Sequence, residues 1–166
     1  MLSKQQFLES VAGETSVCKH LFNKIPEGGL DYSPGENMRN TLELLRYLTY
    51  CGLAPTEALL KENWELIQNH VSAASSLEGP QFPQQMEEQQ RQLEEMLQEV
   101  PEEDLKSRQV RVPWGAQMSL GEALVNLPLK FLTAYRMQLF LYAKAAGARE
   151  LGTYNCWMGC DPPAQS

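Results

Sequence analysis

Apolar residues recur at helical spacing in four long stretches of the chain, and this pattern predicts an all-α fold. The first stretch runs from about Ser3 to Lys24, and Ser3 with Gln6 forms a capping-box pattern at its start. Its apolar residues fall on one face of a helix: Phe7, Val11, Ala12, Val17, Cys18, Leu21 and Phe22. No stretch of comparable length alternates between apolar and polar residues, so a helical core is expected.

The second helix is predicted to open at the segment Ser33-Pro34-Gly35-Glu36. Ser33 has the side chain of a helix cap, Pro34 suits the first helical position, and Glu36 is spaced to reach back to the cap. One apolar stripe follows, formed by Met38, Leu42, Leu45 and Leu48. Gly52 is then expected to end this helix, whose wide apolar face predicts burial between two neighbouring helices.

Two further helices are predicted in the middle of the chain, on either side of a break at Gly79 and Pro80. The first, a connecting helix from about Thr56 to Ala74, has an apolar side made of Leu59, Leu60, Trp64, Ile67 and Val71. The second, from Phe82 to about Val100, is rich in Gln and Glu. Such a polar run is typical of a solvated helix face, and a partner surface is the alternative.

An extended segment precedes the last long helix. Residues Gln109–Gly115 alternate in character, which predicts a short strand or hairpin. Ser119 and Glu122 then form a second capping box, and the helix that follows is expected to run until Gly147. Pro128 should bend its axis or delay its start.

These elements predict one domain and a tail. Residues 1–147 are interpreted as a bundle of four helices, and residues 148–166 as a tail that packs through Tyr154 and Trp157 before it frays. A chain of 166 residues can bury a sufficient core without a disulfide or a structural metal.

The charge of the chain excludes several classes of partner. A formal net charge of -7 gives a surface that repels nucleic acid and anionic lipid headgroups.

Glu9 and Glu14 interrupt the N-terminal region where a signal peptide needs an apolar run. No stretch approaches the roughly 18 apolar residues of a membrane span. A cytoplasmic protein without nucleic-acid or membrane partners is therefore expected.

The four cysteines do not follow a zinc or disulfide pattern. Cys18 and Cys51 stand alone, and Cys156 and Cys160 have the spacing C-x3-C. Reduced thiols are expected in a cytoplasmic protein, although oxidative pairing or metal binding by the last two cysteines remains an alternative.

Several short motifs, taken in order, resemble the DinB/YfiT-like superfamily between Ser3 and Gly147. The motifs are Ile25-Pro26-Glu27, Tyr32-Ser33-Pro34-Gly35-Glu36, Leu44-Leu45-Arg46-Tyr47-Leu48, Pro113-Trp114-Gly115, Ser119-Leu120-Gly121-Glu122, and Ala134-Tyr135-Arg136-Met137-Gln138-Leu139. The resemblance implies an antiparallel four-helix bundle, commonly a homodimer. It also implies a divalent metal, such as zinc or nickel, that three histidines hold at one end of the bundle.

The histidine positions implied by the resemblance fall on Tyr47, Phe131 and Tyr135 in this sequence. A phenylalanine ring has no lone pair, and neutral phenols are poor ligands for zinc or nickel. No metal cofactor is therefore expected. His20 and His70 have no second histidine at one-turn spacing, so a packed or surface role is the default for both.

Two interpretations of these positions remain open. In one, the aromatic rings only fill the core. In the other, they line a pocket for a small, partly apolar molecule. The candidate pocket residues are Tyr47, Cys51, Trp114, Phe131, Tyr135 and Gln138. Arg136 adjoins them in sequence but points to another side of the helix, which suggests an exposed charge or a dimer contact.

The expected function is a small-molecule-binding module or a dimeric interaction module. The alternative is an enzyme that acts at the same pocket, with or without a divalent metal. The resemblance implies a thiol-dependent transferase, and a hydrolase-like enzyme is the other possibility. Without a metal, Tyr47, Tyr135 or Cys51 would take part in the chemistry.

Overall fold

The first helix, α1, begins where the capping box was predicted. A computed structural model describes residues 3–163, and α1 spans Lys4–Phe22. The Gln6 backbone N–H donates to Ser3 Oγ at 3.1 Å, and the Ser3 N–H donates to Gln6 Oε1 at 3.0 Å. The predicted cap is thus confirmed, and both exchanges satisfy backbone groups that a bare helix end would leave open.

The second helix begins later than Ser33, so that prediction was wrong. Helix α2 spans Thr41–Leu48, and its capping box is formed by Asn40 and Glu43. The Ser33 hydroxyl instead donates to the carbonyl oxygens of Gly35 and Met38, which closes a local turn. Serine side chains often bond the nearby backbone in this way, and here that bonding competes with helix initiation.

Gly52 marks a bend between two helices, where a final stop was expected. Helix α3, Leu53–Lys61, follows it directly. A Cβ at Gly52 would lie 2.9 Å from Leu132 Cδ1 and 3.2 Å from Gln89 Oε1. A larger residue at the bend would therefore push against Leu132 of the last long helix and against Gln89, so glycine is favoured there.

The single connecting helix predicted from Thr56 to Ala74 was also wrong. Helix α3 ends at Lys61, where Glu62 takes a left-handed conformation with φ of 52°. Asn63 then caps a 3₁₀ turn at Trp64–Leu66, and α4 spans Ile67–Ala74. The reversal of backbone hand at Glu62 breaks the helical path, which hydrophobic spacing alone does not reveal.

Helix α5, Phe82–Gln98, has the apolar face and the solvated Gln- and Glu-rich face that were predicted. Its buried residues are Phe82, Met86, Gln89, Leu93 and Leu97. On the outer face, Arg91 pairs with Glu88 and Glu95. A short helix, α6, follows at Asp104–Ser107.

The predicted extended segment is the first strand of a small hairpin. Strand β1, Gln109–Arg111, pairs antiparallel with β2, Gln117–Ser119. Helix α7, Leu120–Leu124, then starts at the capping box of Ser119 and Glu122, as expected.

The last long helix contains a wide turn at its proline. Residues Val125–Leu129, which include Pro128, form a π-helical turn, and α8 continues from Lys130 to Ala146. A wider turn accommodates the missing proline N–H without ending the helix. Gly147, with φ of 135°, ends α8 as predicted.

Four helical segments enclose the core. Helix α1 packs against α5 and α8, and the α2–α3 unit packs against the same two helices. This arrangement confirms the all-α bundle. Within residues 3–163, every helix is too short or too polar to span a lipid bilayer.

The segment after α8 lies against α1 through residues that differ from the predicted ones. Leu151, Asn155 and Cys156 are buried, whereas Tyr154 and Trp157 are exposed. Tyr154 is exposed and does not anchor this segment as predicted, whereas Trp157, although 57% exposed, lies with its ring over the Arg136 guanidinium. The fraying predicted for the chain end concerns residues 164–166, which lie outside the described residues.

A buried glutamine on α5 holds the bend between α2 and α3. Gln89 Nε2 donates to the Leu48 carbonyl at 2.9 Å, and Gln89 Oε1 accepts from the backbone N–H groups of Gly52 at 2.9 Å and Leu53 at 3.1 Å. Water cannot satisfy these backbone groups instead, because Gln89 is 1% exposed and the residues around it are buried. One side chain thus satisfies three groups at the bend.

We predict that Gln89→Ala lowers the free energy of unfolding by about 3 kcal/mol, because it leaves these buried groups without partners. Urea unfolding followed by circular dichroism measures this change. The matched control is Gln84→Ala on the exposed side of the same helix, which should cost less than about 0.5 kcal/mol. Equal costs for the two variants would contradict the role of Gln89.

Candidate functional site

The two tyrosines at the predicted histidine positions lie in contact between α2 and α8. The ring centroids of Tyr47 and Tyr135 are 4.4 Å apart, with planes inclined at 59°. Tyr50 meets Tyr47 edge-on, at 5.2 Å between centroids. Phe131, one turn before Tyr135 on α8, is half-buried against the hydrophobic core. The packing of α2 on α8 therefore brings an aromatic group together at this end of the bundle.

Sequence reasoning missed a charged residue that covers this group. The Arg39 guanidinium lies over the Tyr47 ring, 4.2 Å from its centroid, and 5.6 Å from the centroid of Tyr135. Arg39 is exposed, and among residues 3–163 no carboxylate pairs with its side chain. Arg39 directly precedes the Asn40 cap of α2. Had the true start of α2 been recognised, this position would have indicated that Arg39 lies near the tyrosines. We call Arg39, Tyr47, Tyr50 and Tyr135 the Arg39–tyrosine cluster.

A short hydrogen-bond chain fixes the backbone of Arg39. The Tyr142 hydroxyl donates to the Arg39 carbonyl at 3.1 Å, and Gln138 Nε2 donates to the Tyr142 oxygen at 2.7 Å. The Tyr142 ring also packs edge-on against Tyr32, with centroids 5.5 Å apart. Gln138, a predicted pocket residue, is thus connected to the cluster through Tyr142.

The phenols of Tyr47 and Tyr50 stay protonated at neutral pH. Burial raises the pKa of Tyr47, and the neighbouring Cys51 and Tyr135 raise it further, while Arg39 acts in the opposite direction. Burial likewise raises the pKa of Tyr50, again against the effect of Arg39. Tyr47 and Tyr50 can therefore offer hydroxyl hydrogen bonds beside the Arg39 cation, and neither is a phenolate base at neutral pH.

Cys51 lies behind the tyrosines and has the surroundings of a structural thiol. Its side chain is buried, and Sγ lies 3.7 Å from the Leu48 carbonyl to which it donates. Burial raises the pKa of Cys51 well above its usual range. A nucleophilic thiol needs the opposite shift and access to a substrate.

Trp114 lies away from the cluster, so its predicted place in the pocket was wrong. It is 63% exposed in the turn of the hairpin. There it lines a separate hollow together with Trp64 and Arg111. The hairpin carries the Pro113-Trp114-Gly115 motif away from α2 and α8, because β1 and β2 pair with each other.

Arg136 is buried, so neither of its expected positions, an exposed charge or a dimer contact, was right. Its side chain is 2% exposed, and its Nε donates to Glu14 Oε2 at 2.9 Å. Its Nη1 donates to the Cys156 carbonyl at 2.9 Å, and its guanidinium lies 4.6 Å from the Trp157 ring centroid. The side chain therefore joins α1, α8 and the C-terminal segment.

The two histidines lie elsewhere and have other partners. His20 Nε2 is 3.0 Å from Asn155 Nδ2, and burial lowers the pKa of His20 against the opposing effect of Asp161. His70 Nε2 lies 2.6 Å from Glu57 Oε2. Within the described part of the chain, no three side chains of the types His, Cys, Asp and Glu form a group that could hold a metal ion.

The comparisons with known proteins identify the family. The sequence matches the DinB family over residues 1–159, so the chain belongs to the DinB family. This match extends past the boundary expected at residue 147.

The fold is similar to that of a DinB-like protein from Bacillus subtilis, YjoA, known from a crystal structure. The TM-score is 0.68 at 19% sequence identity, over 90% of this chain and 96% of that chain. At this identity the likeness shows the fold alone. A comparison with curated proteins found no match.

The residues at the positions where the resemblance implies histidines do not fit a divalent metal. Tyr47 and Tyr135 present phenols, which are poor ligands for zinc and nickel, and Phe131 presents only carbon. Arg39 adds a positive charge directly above the rings, which disfavours a second cation. The donor set and the local charge both disagree with the three-histidine centre.

We predict that native protein has one thiol that reacts rapidly with Ellman's reagent, Cys160, because Cys18, Cys51 and Cys156 are buried. All four cysteines should react in denaturant. Stopped-flow absorbance measures the phases. Cys160→Ser should remove the fast phase and Cys51→Ala should keep it. A fast phase that survives Cys160→Ser would contradict the structural role of the buried thiols.

Proposed function

We propose that this DinB-family protein binds a small carboxylate-bearing aromatic molecule at the Arg39–tyrosine cluster, without a metal. The observation that carries this proposal is the exposed Arg39 guanidinium, which is stacked on Tyr47 and has no carboxylate partner among residues 3–163. A guanidinium in a fixed plane can donate two parallel hydrogen bonds to one carboxylate.

The stacking prepares Arg39 for such a ligand. An arginine side chain loses rotamer freedom when it binds an anion, and contact with the rings of Tyr47 and Tyr135 has already restricted that freedom. The hydrogen bond from the Tyr142 hydroxyl to the Arg39 carbonyl also holds the backbone of Arg39 in place. A preorganised cation therefore supports anion binding at this end of the bundle.

The tyrosines supply the apolar and hydrogen-bonding parts of the proposed site. Their rings form a wall against which an aromatic ligand can pack. Their protonated hydroxyls are donors that suit a carboxylate oxygen. Aromatic walls with a few converging polar groups are typical of small-molecule sites.

The enzymatic alternative has less support from the same residues. A thiol-dependent transferase or hydrolase at this site would need an activated nucleophile or base. Burial holds both Cys51 and Tyr47 in their protonated forms at neutral pH. We therefore favour binding over catalysis for the Arg39–tyrosine cluster.

We predict that benzoate binds the purified full chain, and that Arg39→Gln weakens this binding at least about tenfold because the bidentate charge-assisted contact is lost. Isothermal titration calorimetry measures the affinity. The matched control is Arg149→Gln, which removes an exposed arginine in the C-terminal segment and should leave the affinity unchanged.

The metal-free part of this proposal is tested with the same samples. Protein purified without chelator should contain no stoichiometric zinc or nickel by elemental analysis, and EDTA should not alter the affinity for benzoate. Benzoate binding that disappears with EDTA, or that Arg39→Gln leaves intact, would refute the proposal.

We also propose a homodimer, as the resemblance implies. Leu141 supports it, because this large apolar side chain on α8 is 55% exposed.

Multi-angle light scattering should give about twice the chain mass of 18.8 kDa. Leu141→Asp should shift the particle toward the single-chain mass. The control Val71→Asp changes an exposed apolar residue on α4 and should not. A monomer of the unaltered protein at micromolar concentration would remove the proposal.

A further inference from the structure

A polar groove lies beside the bend between α2 and α3, along α4 and α5. Its volume is about 350 Å³, which is within the range of small-molecule sites. Tyr50 and Leu53 line it from the bend, His70 and Ser76 from the α4 side, and Gln85 and Gln92 from α5. Its lining is thus richer in hydroxyl and amide groups than a packed helix interface.

Several of these polar groups have no partner within the described chain. The hydroxyls of Tyr50 and Ser76 and the amide of Gln85 make no hydrogen bond to residues 3–163. By contrast, the buried Gln89 amide uses its hydrogen bonds on the backbone of the bend, and so forms a fixed wall of the groove. The groove therefore presents free donors and acceptors on a rigid base.

His70 contributes an oriented imidazole. Its Nε2 lies 2.6 Å from Glu57 Oε2. Burial raises the pKa of Glu57, but hydrogen bonds from Lys61 and His70 outweigh that effect and lower the pKa below its usual value. The Glu57 carboxylate therefore orients the imidazole through Nε2. Nδ1, on the other side of the ring, has no hydrogen-bond partner among residues 3–163.

The charges around the groove are already compensated. Glu88 at its edge is 2.5 Å from Arg91 Nη2 and also accepts from Gln92. Glu57, behind His70, pairs with Lys61 at 2.6 Å. An ionic ligand would therefore find no free counter-charge, whereas a neutral ligand could use the free hydroxyl, amide and imidazole groups as both donors and acceptors.

From these observations we infer that the groove is a second binding site, for a small neutral molecule with several hydroxyl groups, such as a sugar or a polyol. Hydroxyl groups both donate and accept, as do the amides and hydroxyls that line the groove. The Tyr50 ring and the Leu53 side chain provide apolar contacts that suit the carbon skeleton of such a molecule.

This inference is independent of the proposed function. Tyr50 lines the groove and also belongs to the Arg39–tyrosine cluster, so neither site is tested through it. Gln85 and His70 belong to the groove alone, and Arg39 belongs to the cluster alone. Variants of these residues distinguish failure of one site from failure of the other.

The experiment is a titration of the ¹⁵N-labelled full chain with myo-inositol, D-glucose and ribitol, followed by two-dimensional NMR. At least one of these should shift the amide signals of groove residues. Gln85→Ala and His70→Asn should each weaken binding about fivefold, which is the effect of one lost neutral hydrogen bond. Gln84→Ala, a change of the same kind outside the groove on the same helix, should not weaken it. Arg39→Gln should also leave this binding unchanged.

Three outcomes would overturn the inference. The first is no shift of groove signals with any of the neutral probes. The second is a groove response to benzoate or ethanolamine alone, which would assign a charged ligand. The third is an equal loss of affinity in Gln84→Ala and Gln85→Ala, which would show that the groove residue is not in contact with the probe.

Discussion

The bend between α2 and α3 depends on one buried amide, and the positions of both proposed sites depend on that bend. Gln89 bonds the backbone on both sides of it, and the absence of a side chain at Gly52 allows Leu132 of α8 to approach. Without these contacts, no interaction described above would stabilise the bend between α2 and α3. Because the bend directs Tyr47 toward α8 and Tyr50 toward the groove, a structural glutamine determines where functional side chains lie.

A second buried polar contact aligns α8 with α1. Arg136 and Glu14 form an ion pair inside the protein, and the Thr133 hydroxyl donates to Glu14 Oε1 at 3.0 Å. A buried ion pair adds little net stability, since both partners lose hydration, but removal of one partner alone costs about 3–5 kcal/mol. We therefore expect the pair to act through specificity of packing. It disfavours registers of α8 that would leave a charge unpaired, and it thereby helps to place Tyr135 opposite Tyr47.

Local features of the fold were predictable from the sequence, and features that depend on distant contacts were not. The caps at Ser3 and Ser119 were correct because the bonds that form them lie within four residues. Ser33 shows the same local pattern, but its hydroxyl bonds a turn, and only the structure of residues 33–38 decides between the two. The burial of Gln89 and Arg136 could not be predicted, since a polar residue is placed inside only by partners far along the chain. Arg39 was missed because the start of α2 was misplaced, and Trp114 was misplaced because its direction depends on the pairing of the hairpin.

Phenols at positions where the resemblance implies imidazoles determine what this end of the bundle can bind. Three imidazoles converge on a cation, whereas protonated phenols and a benzene ring present hydrogen-bond donors and π faces. A guanidinium is the cation that such faces attract, and Arg39 occupies that position. Arg39 places an exposed cation on the outer side of the cluster, so the ligand proposed for it is an anion. The groove one helical turn away has no such free charge, because its carboxylates are paired. The two proposed sites share Tyr50 but differ in the charge of the molecule that each accepts. The same ligand is therefore not expected to bind at both.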